Sequence, residues 1–193
     1  MKRAPILHGC IKNLSFKWIN GIFLTIKIIR IFRECHALSL ENVQVHLKKW
    51  NREKDIQVFQ TSSATVLEAA ETLGVQPERI AKTLSFRKED DAILIVTAGD
   101  AKIDNRKFKQ TFAEKARMLA PEEVLEKTGH AVGGVCPFGL VENLPVYMDE
   151  SLKRFTTVFP ACGSSNSAIE LTNEELYIYG NAVDWVDVCK GWE

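Results

Sequence analysis

Ile80-Ala81-Lys82-Thr83-Leu84-Ser85-Phe86, followed by Ala92-Ile93-Leu94-Ile95-Val96-Thr97-Ala98-Gly99-Asp100, is where the chain declares its fold. The second segment is a nearly continuous apolar run of strand length, the pattern of a central strand covered on both faces. In the first, Ile80, Lys82, Leu84 and Phe86 fall on one strand face, with Ala81, Thr83 and Ser85 on the other. A lysine thus stands where an apolar residue is expected. Burying an ammonium is costly unless it is paired or hydrogen-bonded. Lys82 either lines a pocket and binds a ligand carbonyl or phosphate, or sits at a strand edge with its stem packed and its head in water.

Working outward, Leu40, Val43, Leu47 and Trp50 share helical spacing, and Ile56–Phe59 has a strand's length. Thr65-x-x-Glu68 is a capping box that opens a helix through Ala69, Ala70 and Leu73, ended by Gly74. Pro77 suits the first turn of a short helix before the Lys82 strand. Residues 104–112 and 121–127 read as helices; 146–148, 156–158 and 168–171 read as strands. Thr172-x-x-Glu175 is a second capping box, for a helix ending near Gly180. Strands mixed irregularly with short helices predict an α+β fold with a mixed, twisted sheet.

The chain has 193 residues and a formal net charge of zero, enough for one domain with a tail. The zero hides an asymmetry. Residues 1–37 carry seven basic side chains and one acidic, net +6, so the remaining chain is net −6. Nucleic-acid contact would therefore use a local patch, not the overall field. Between Lys17 and Lys27 lie only nine uncharged residues, too few to span a membrane. Residues 1–37 are expected to be a dispensable basic, apolar extension, with residues 38–193 forming the domain. A targeting peptide or a surface-binding amphipathic helix is the alternative. Cysteines at 10, 35, 136, 162 and 189 make no CxxC pair and are odd in number. Free thiols in a reducing, cytoplasmic setting and no metal site are expected.

Thr128-Gly129-His130-Ala131-Val132-Gly133-Gly134-Val135-Cys136-Pro137-Phe138-Gly139 packs four glycines and a proline into twelve residues. Such a stretch is either a ligand-free turn or a set of bare N–H groups that holds a carbonyl or phosphate oxygen. His130 is a possible general base, but no orienting carboxylate is evident beside it. Asp100 shapes a turn and Asp104 caps the next helix, or Asp100 faces the site. Lys102, Arg106, Lys107, Lys109, Lys115 and Arg117 are a basic cluster suited to phosphates or to solvent. Cys162-Gly163-Ser164-Ser165-Asn166 lines a pocket or simply turns; no histidine adjoins Ser164 or Ser165, which argues against a serine nucleophile.

Taken together and in order, these pieces resemble the YbaK/EbsC family, aminoacyl-tRNA deacylases related to the editing domain inserted in bacterial prolyl-tRNA synthetases. The similarity runs over residues 39–184. It rests on the Thr65–Gly74 helix, Arg79-Ile-Ala-Lys82-Thr-Leu84, the strand ending Gly99-Asp100, the Thr128–Gly139 stretch, and Ala161-Cys-Gly163-x-x-Asn166 followed by Ile169-Glu-Leu171. The resemblance implies a barrel-like twisted β-sheet flanked by helices, with no cofactor and no metal. It implies hydrolysis, in trans, of the ester of a misacylated tRNA of the Cys-tRNA(Pro) or prolyl-tRNA type. The partners implied are the tRNA acceptor end and prolyl-tRNA synthetase, with no stable membrane insertion. The family's lysine falls on Lys82 and its GxxxP loop on Gly133 to Pro137. Catalytic roles thus fall to Lys82, Gly133 and Gly134, and substrate contacts to Thr65, Asp100, Pro137, Gly163, Asn166 and Ala168. Two positions depart from the cysteine-specific branch: Thr65 replaces a phenylalanine and Ala168 an aspartate. A non-catalytic module that binds tRNA or aminoacyl groups is the second expectation.

Overall fold

The computed structural model describes residues 38–89 and 91–192; the expected extension over residues 1–37 lies outside the described residues. Helix α1 covers 38–47 and tightens into a 3-10 turn at Lys48–Trp50, in line with the helical spacing of Leu40, Val43 and Leu47. A short strand β1 (Gln57–Val58) leads to α2 (Val66–Leu73). The capping box of α2 is present. Thr65 Oγ1 accepts from Glu68 N, Glu68 Oε2 accepts from Thr65 N, and Gly74 ends the helix in the left-handed region.

Strands β2 (Ile80–Lys88) and β3 (Asp91–Ala98) form the antiparallel centre of a six-stranded sheet. They are followed by β4 (Lys102–Ile103), α3 (Asn105–Phe112), α4 (Pro121–Thr128), β5 (Val146–Asp149), β6 (Thr157–Pro160), β7 (Ser167–Ala168), β8 (Leu171–Thr172), α5 (Asn173–Tyr179), β9 (Ala182–Val186) and β10 (Cys189–Lys190). The sheet order is β8-β6-β2-β3-β5-β9, with parallel and antiparallel pairs mixed. Two small ladders, β1–β7 and β4–β10, close its flanks. The fold is α+β, with a curled, barrel-like mixed sheet flanked by helices.

The apolar run behaves as its pattern demands: Ile93, Leu94, Ile95 and Val96 of β3 are all essentially inaccessible. Alternation does not hold along β2. Ala81 and Ser85 are buried as well as Ile80 and Phe86, while Lys82, Thr83 and Leu84 are half-buried. The reason is that β2 lies inside the sheet, and both faces are covered near its ends. The expected strand over 168–171 is divided: β7 pairs with β1, β8 pairs with β6, and buried Ile169 lies between. The break falls at Ile169–Glu170: Ala168 bridges Ala161 and Ile169 N donates to Pro160 O, so the chain changes pairing partner before Leu171 joins β6.

Candidate active site

Lys82 lies where β2 meets its neighbours. Ala81 pairs with Pro160 of β6, and Lys82 pairs across with Thr97 of β3. Those two strands lead directly into Ala161–Asn166 on one side and Gly99-Asp100 on the other. The ammonium donates to Gly99 O at 2.9 Å and to Ala101 O at 2.5 Å. These carbonyls, invisible to a side-chain pattern, are what make a half-buried lysine tolerable. An ammonium has three N–H bonds. The third has no protein partner among the described residues. Burial lowers the pKa of Lys82, while Cys189, Asp100 and Asp149 oppose that shift.

The glycine stretch is a tight turn. Gly134 N donates to Ala131 O at 2.9 Å, and Gly133 occupies the third position with φ of +93°. A left-handed residue there is what a type II turn requires. This divides the two glycines. The N–H of Gly134 is engaged within the turn, so its expected role as donor to a substrate oxygen does not fit the resting geometry. Gly133 is half-exposed and its N–H has no partner among the described residues.

Close backbone approach explains why the stretch carries glycine. A Cβ on Gly134 would stand 2.8 Å from the Gly163 backbone, and one on Gly133 2.9 Å from Ala64 Cβ. A Cβ on Gly163 would stand 2.7 Å from Ser39 O. Thr65 follows Ala64 directly, and Val66, next again, packs against Gly99, whose carbonyl holds Lys82. Lys82, Thr65, Gly133, Gly134 and Gly163 therefore belong to one connected set of contacts.

The other expected residues are placed differently. Asp100 is clamped by Arg154, Nη1 to Oδ2 at 2.9 Å and Nη2 to Oδ1 at 2.5 Å. Burial works against its ionisation, yet Arg154 holds its carboxyl below the usual range. Pro137 is buried and packs toward Gly180 at the end of α5. Asn166 joins the β1 flank, donating from Nδ2 to Phe59 O and accepting at O from Phe59 N, both at 2.8 Å. Ala168 is buried between Gln57 and Ala161.

His130 is fully buried, and no carboxylate orients it among the described residues. With the ring neutral, Nε2 donates to Phe138 O at 2.8 Å. The hydroxyl of Ser39 lies 2.6 Å from both His130 Nδ1 and Gly163 O. Thr128 Oγ1 accepts from His130 N. Burial pushes the His130 pKa down to about 4. Beside it, burial raises the Cys136 thiol to about 12 and the Cys162 thiol well above its ordinary value, so neither is a thiolate nucleophile at neutral pH. Ser164 bonds Asn166 and Ser167, with no histidine bonded to it among the described residues. Ser39 is the residue that sequence reasoning missed. At the start of a helix it reads as a cap, and only the fold brings it to His130.

A cleft of about 560 Å³ is lined by Lys88, Phe112, Tyr147, Trp185 and others, and one of about 430 Å³ by Arg52, Gln57, Glu170, Glu175 and others. Neither touches Lys82 or the glycine turn. Unengaged donors mark the candidate site.

Comparison with known proteins gives the family. Residues 61–177 match the aminoacyl-tRNA editing domain, a span that holds Thr65, Lys82, the glycine turn and the Gly163 loop. The chain is 64% identical to the uncharacterized protein YwhH of Bacillus subtilis (strain 168), over 81% of this chain and 100% of that one. It is 28% identical to a candidate Cys-tRNA(Pro)/Cys-tRNA(Cys) deacylase, EbsC, of Enterococcus faecalis, over 55% of this chain and 66% of that one. Among solved structures, a candidate trans-editing enzyme for prolyl-tRNA synthetase superposes with a TM-score of 0.72 at 32% identity, covering 79% of this chain and 98% of that one. The chain belongs to the aminoacyl-tRNA editing domain family, in its YbaK/EbsC-like branch.

Proposed function

We propose that this protein is a trans-editing hydrolase that cleaves the ester between a wrongly attached amino acid and the 3′-terminal ribose of a tRNA. The carrying observation is the Lys82 ammonium, fixed by two backbone carbonyls with one N–H left over. The reaction adds water to the ester carbonyl, collapses the tetrahedral adduct and releases the amino acid, the ribose oxygen leaving with a proton. Negative charge grows on the carbonyl oxygen during the addition, and fixed donors stabilise it by about 3–4 kcal/mol each in favourable cases. Gly133 N–H and the third Lys82 N–H are the candidates, with Lys82 orienting the ribose or polarising the carbonyl. Neither acts as a nucleophile. His130, Cys136 and Ser164 are engaged elsewhere and take no covalent part.

The amino acid is set by what fits beside the carbonyl. Thr65 is exposed next to Ala64 and the Gly133 turn, and is the side chain best placed to meet it. Cysteine on tRNA(Pro) is the finer reading, supported by one relative named for that deacylation and by a solved relative named for trans-editing with prolyl-tRNA synthetase. A second reading, binding of aminoacylated tRNA without cleavage, is favoured by the engagement of Gly134 N–H within its turn. A panel of mischarged tRNAs separates the two. The hydrolase reading expects release of at least one amino acid well above the spontaneous rate; saturable binding with no release on any member would replace it with the second reading.

A further inference from the structure

We infer that the β4–β10 ladder is a phosphate-binding surface for the RNA strand that leads into the Lys82 site, with Lys102 and Lys190 as its contacts. The inference rests on the hydrolase or tRNA-binding reading for its partner, and on the following geometry for its place.

Lys102 and Lys190 are direct partners in an antiparallel pair, so their side chains leave the ladder on the same face. Both residues are exposed, whereas Cys189 is buried and Ile103 half-buried on the other side. Like charges directly opposite each other destabilise a strand pair. Their compensation is incomplete. Lys102 makes no ion pair among the described residues. Lys190 reaches Asp104 Oδ2 only at 3.4 Å, while Asp104 Oδ1 already caps α3 through Arg106 N and Lys107 N. An anion between the two ammonium groups would relieve the repulsion.

The ladder is held firmly. Asp104 N donates to Val188 O at 2.9 Å, and Lys107 Nζ donates to Cys189 O at 2.9 Å. It also adjoins the candidate site. Ala101, the residue before Lys102, supplies one of the two carbonyls that hold Lys82. Lys102 is close enough to act electrostatically on Lys82. Exposed Arg106 follows in the first turn of α3. Lys190 and Lys102 thus share a ladder face, and Lys102 adjoins the carbonyl that holds Lys82, on a body that is otherwise net acidic. A pair of lysines of that kind suits the phosphodiesters of an RNA end, because phosphate contacts position a strand without reading its bases. Lys115 and Arg117 do not extend this pair. They lie by Phe86 and Arg87, toward the other end of β2.

The test is binding of an unacylated RNA minihelix with a 3′-CCA end to the full chain, across a salt series, with inorganic phosphate as a competing arm. Lys102→Glu with Lys190→Glu should weaken binding by about 10-fold or more at low salt. The neutral pair Lys102→Gln with Lys190→Gln should reduce the slope of log K against log salt by about 1.4–1.8, at roughly 0.7–0.9 for each phosphate no longer neutralised. Unchanged affinity and slope in both double variants would overturn the inference. So would an effect confined to inorganic phosphate, which would make the ladder a small-anion site. The outcome is independent of catalysis: a reduced slope in a protein that cleaves no mischarged tRNA would sink the hydrolase reading and leave this surface standing.

Discussion

Lys82 and His130 are both basic side chains taken out of water, and the fold treats them in opposite ways. His130 is closed: its ring nitrogens meet Phe138 O and Ser39 Oγ, its own N–H meets Thr128, and nothing reaches solvent. Lys82 is left open, with two N–H groups on carbonyls and a third without a partner among the described residues. One polar group completes a scaffold and the other retains capacity for a ligand. Residual donor capacity separates the two, and burial alone does not.

The contrast can be broken first at His130. Its folded pKa of about 4 lies below the unfolded 6.5, so between those values the unfolded chain binds the extra proton. Stability should therefore fall as pH drops from 6.5 toward 4 and level off below, a loss of about 3 kcal/mol from this group. Denaturant unfolding of His130→Gln should show that slope removed. An identical slope in the variant would mean that His130 is not the titrating group.

Gly134→Ala comes next. Its new Cβ meets backbone of Gly163 and Ser164, which cannot swing aside, so a loss of about 1–3 kcal/mol is expected from overpacking. A neutral result would show that the two loops are not locked together. Thr65→Ala removes the hydroxyl that caps α2 and should cost about 1 kcal/mol in thermal or denaturant unfolding. The smallest effect expected is from deleting residues 1–37, which should leave both the unfolding midpoint and deacylation unchanged. Loss of either would make the extension part of the working protein.

Much of this was legible in the sequence because the relevant signals are local. The apolar run of β3 announces a central strand, and Thr65-x-x-Glu68 and Thr172-x-x-Glu175 write their own helix starts. The lysine in an apolar strand and the paired glycines single out the residues on which the proposed site is built. What stayed hidden is non-local. The carbonyls of Gly99 and Ala101 carry no side-chain signature, Ser39 reaches His130 across 91 residues, and Arg154 clamps Asp100 across 54. Alternation misled along β2 because both faces are covered at Ile80-Ala81 and Ser85-Phe86 while the middle of the strand is only half-buried. The sharing out of the two glycines, one N–H closed in the turn and one open, depends on a single φ angle that composition does not fix.

The proposal turns on a division of labour, in which Lys82 would work on the substrate while His130 would only hold the frame. Single-turnover deacylation of the best mischarged tRNA, normalised to folded protein, tests it with Lys82→Met and His130→Gln side by side. Lys82→Met should fold normally and lose about 100-fold or more in rate, along with any alkaline decline set by the lowered lysine pKa. His130→Gln should lose stability while each folded molecule keeps most of its rate. A Lys82→Met protein that cleaves at the wild-type rate, or a folded His130→Gln protein that does not cleave, would contradict it.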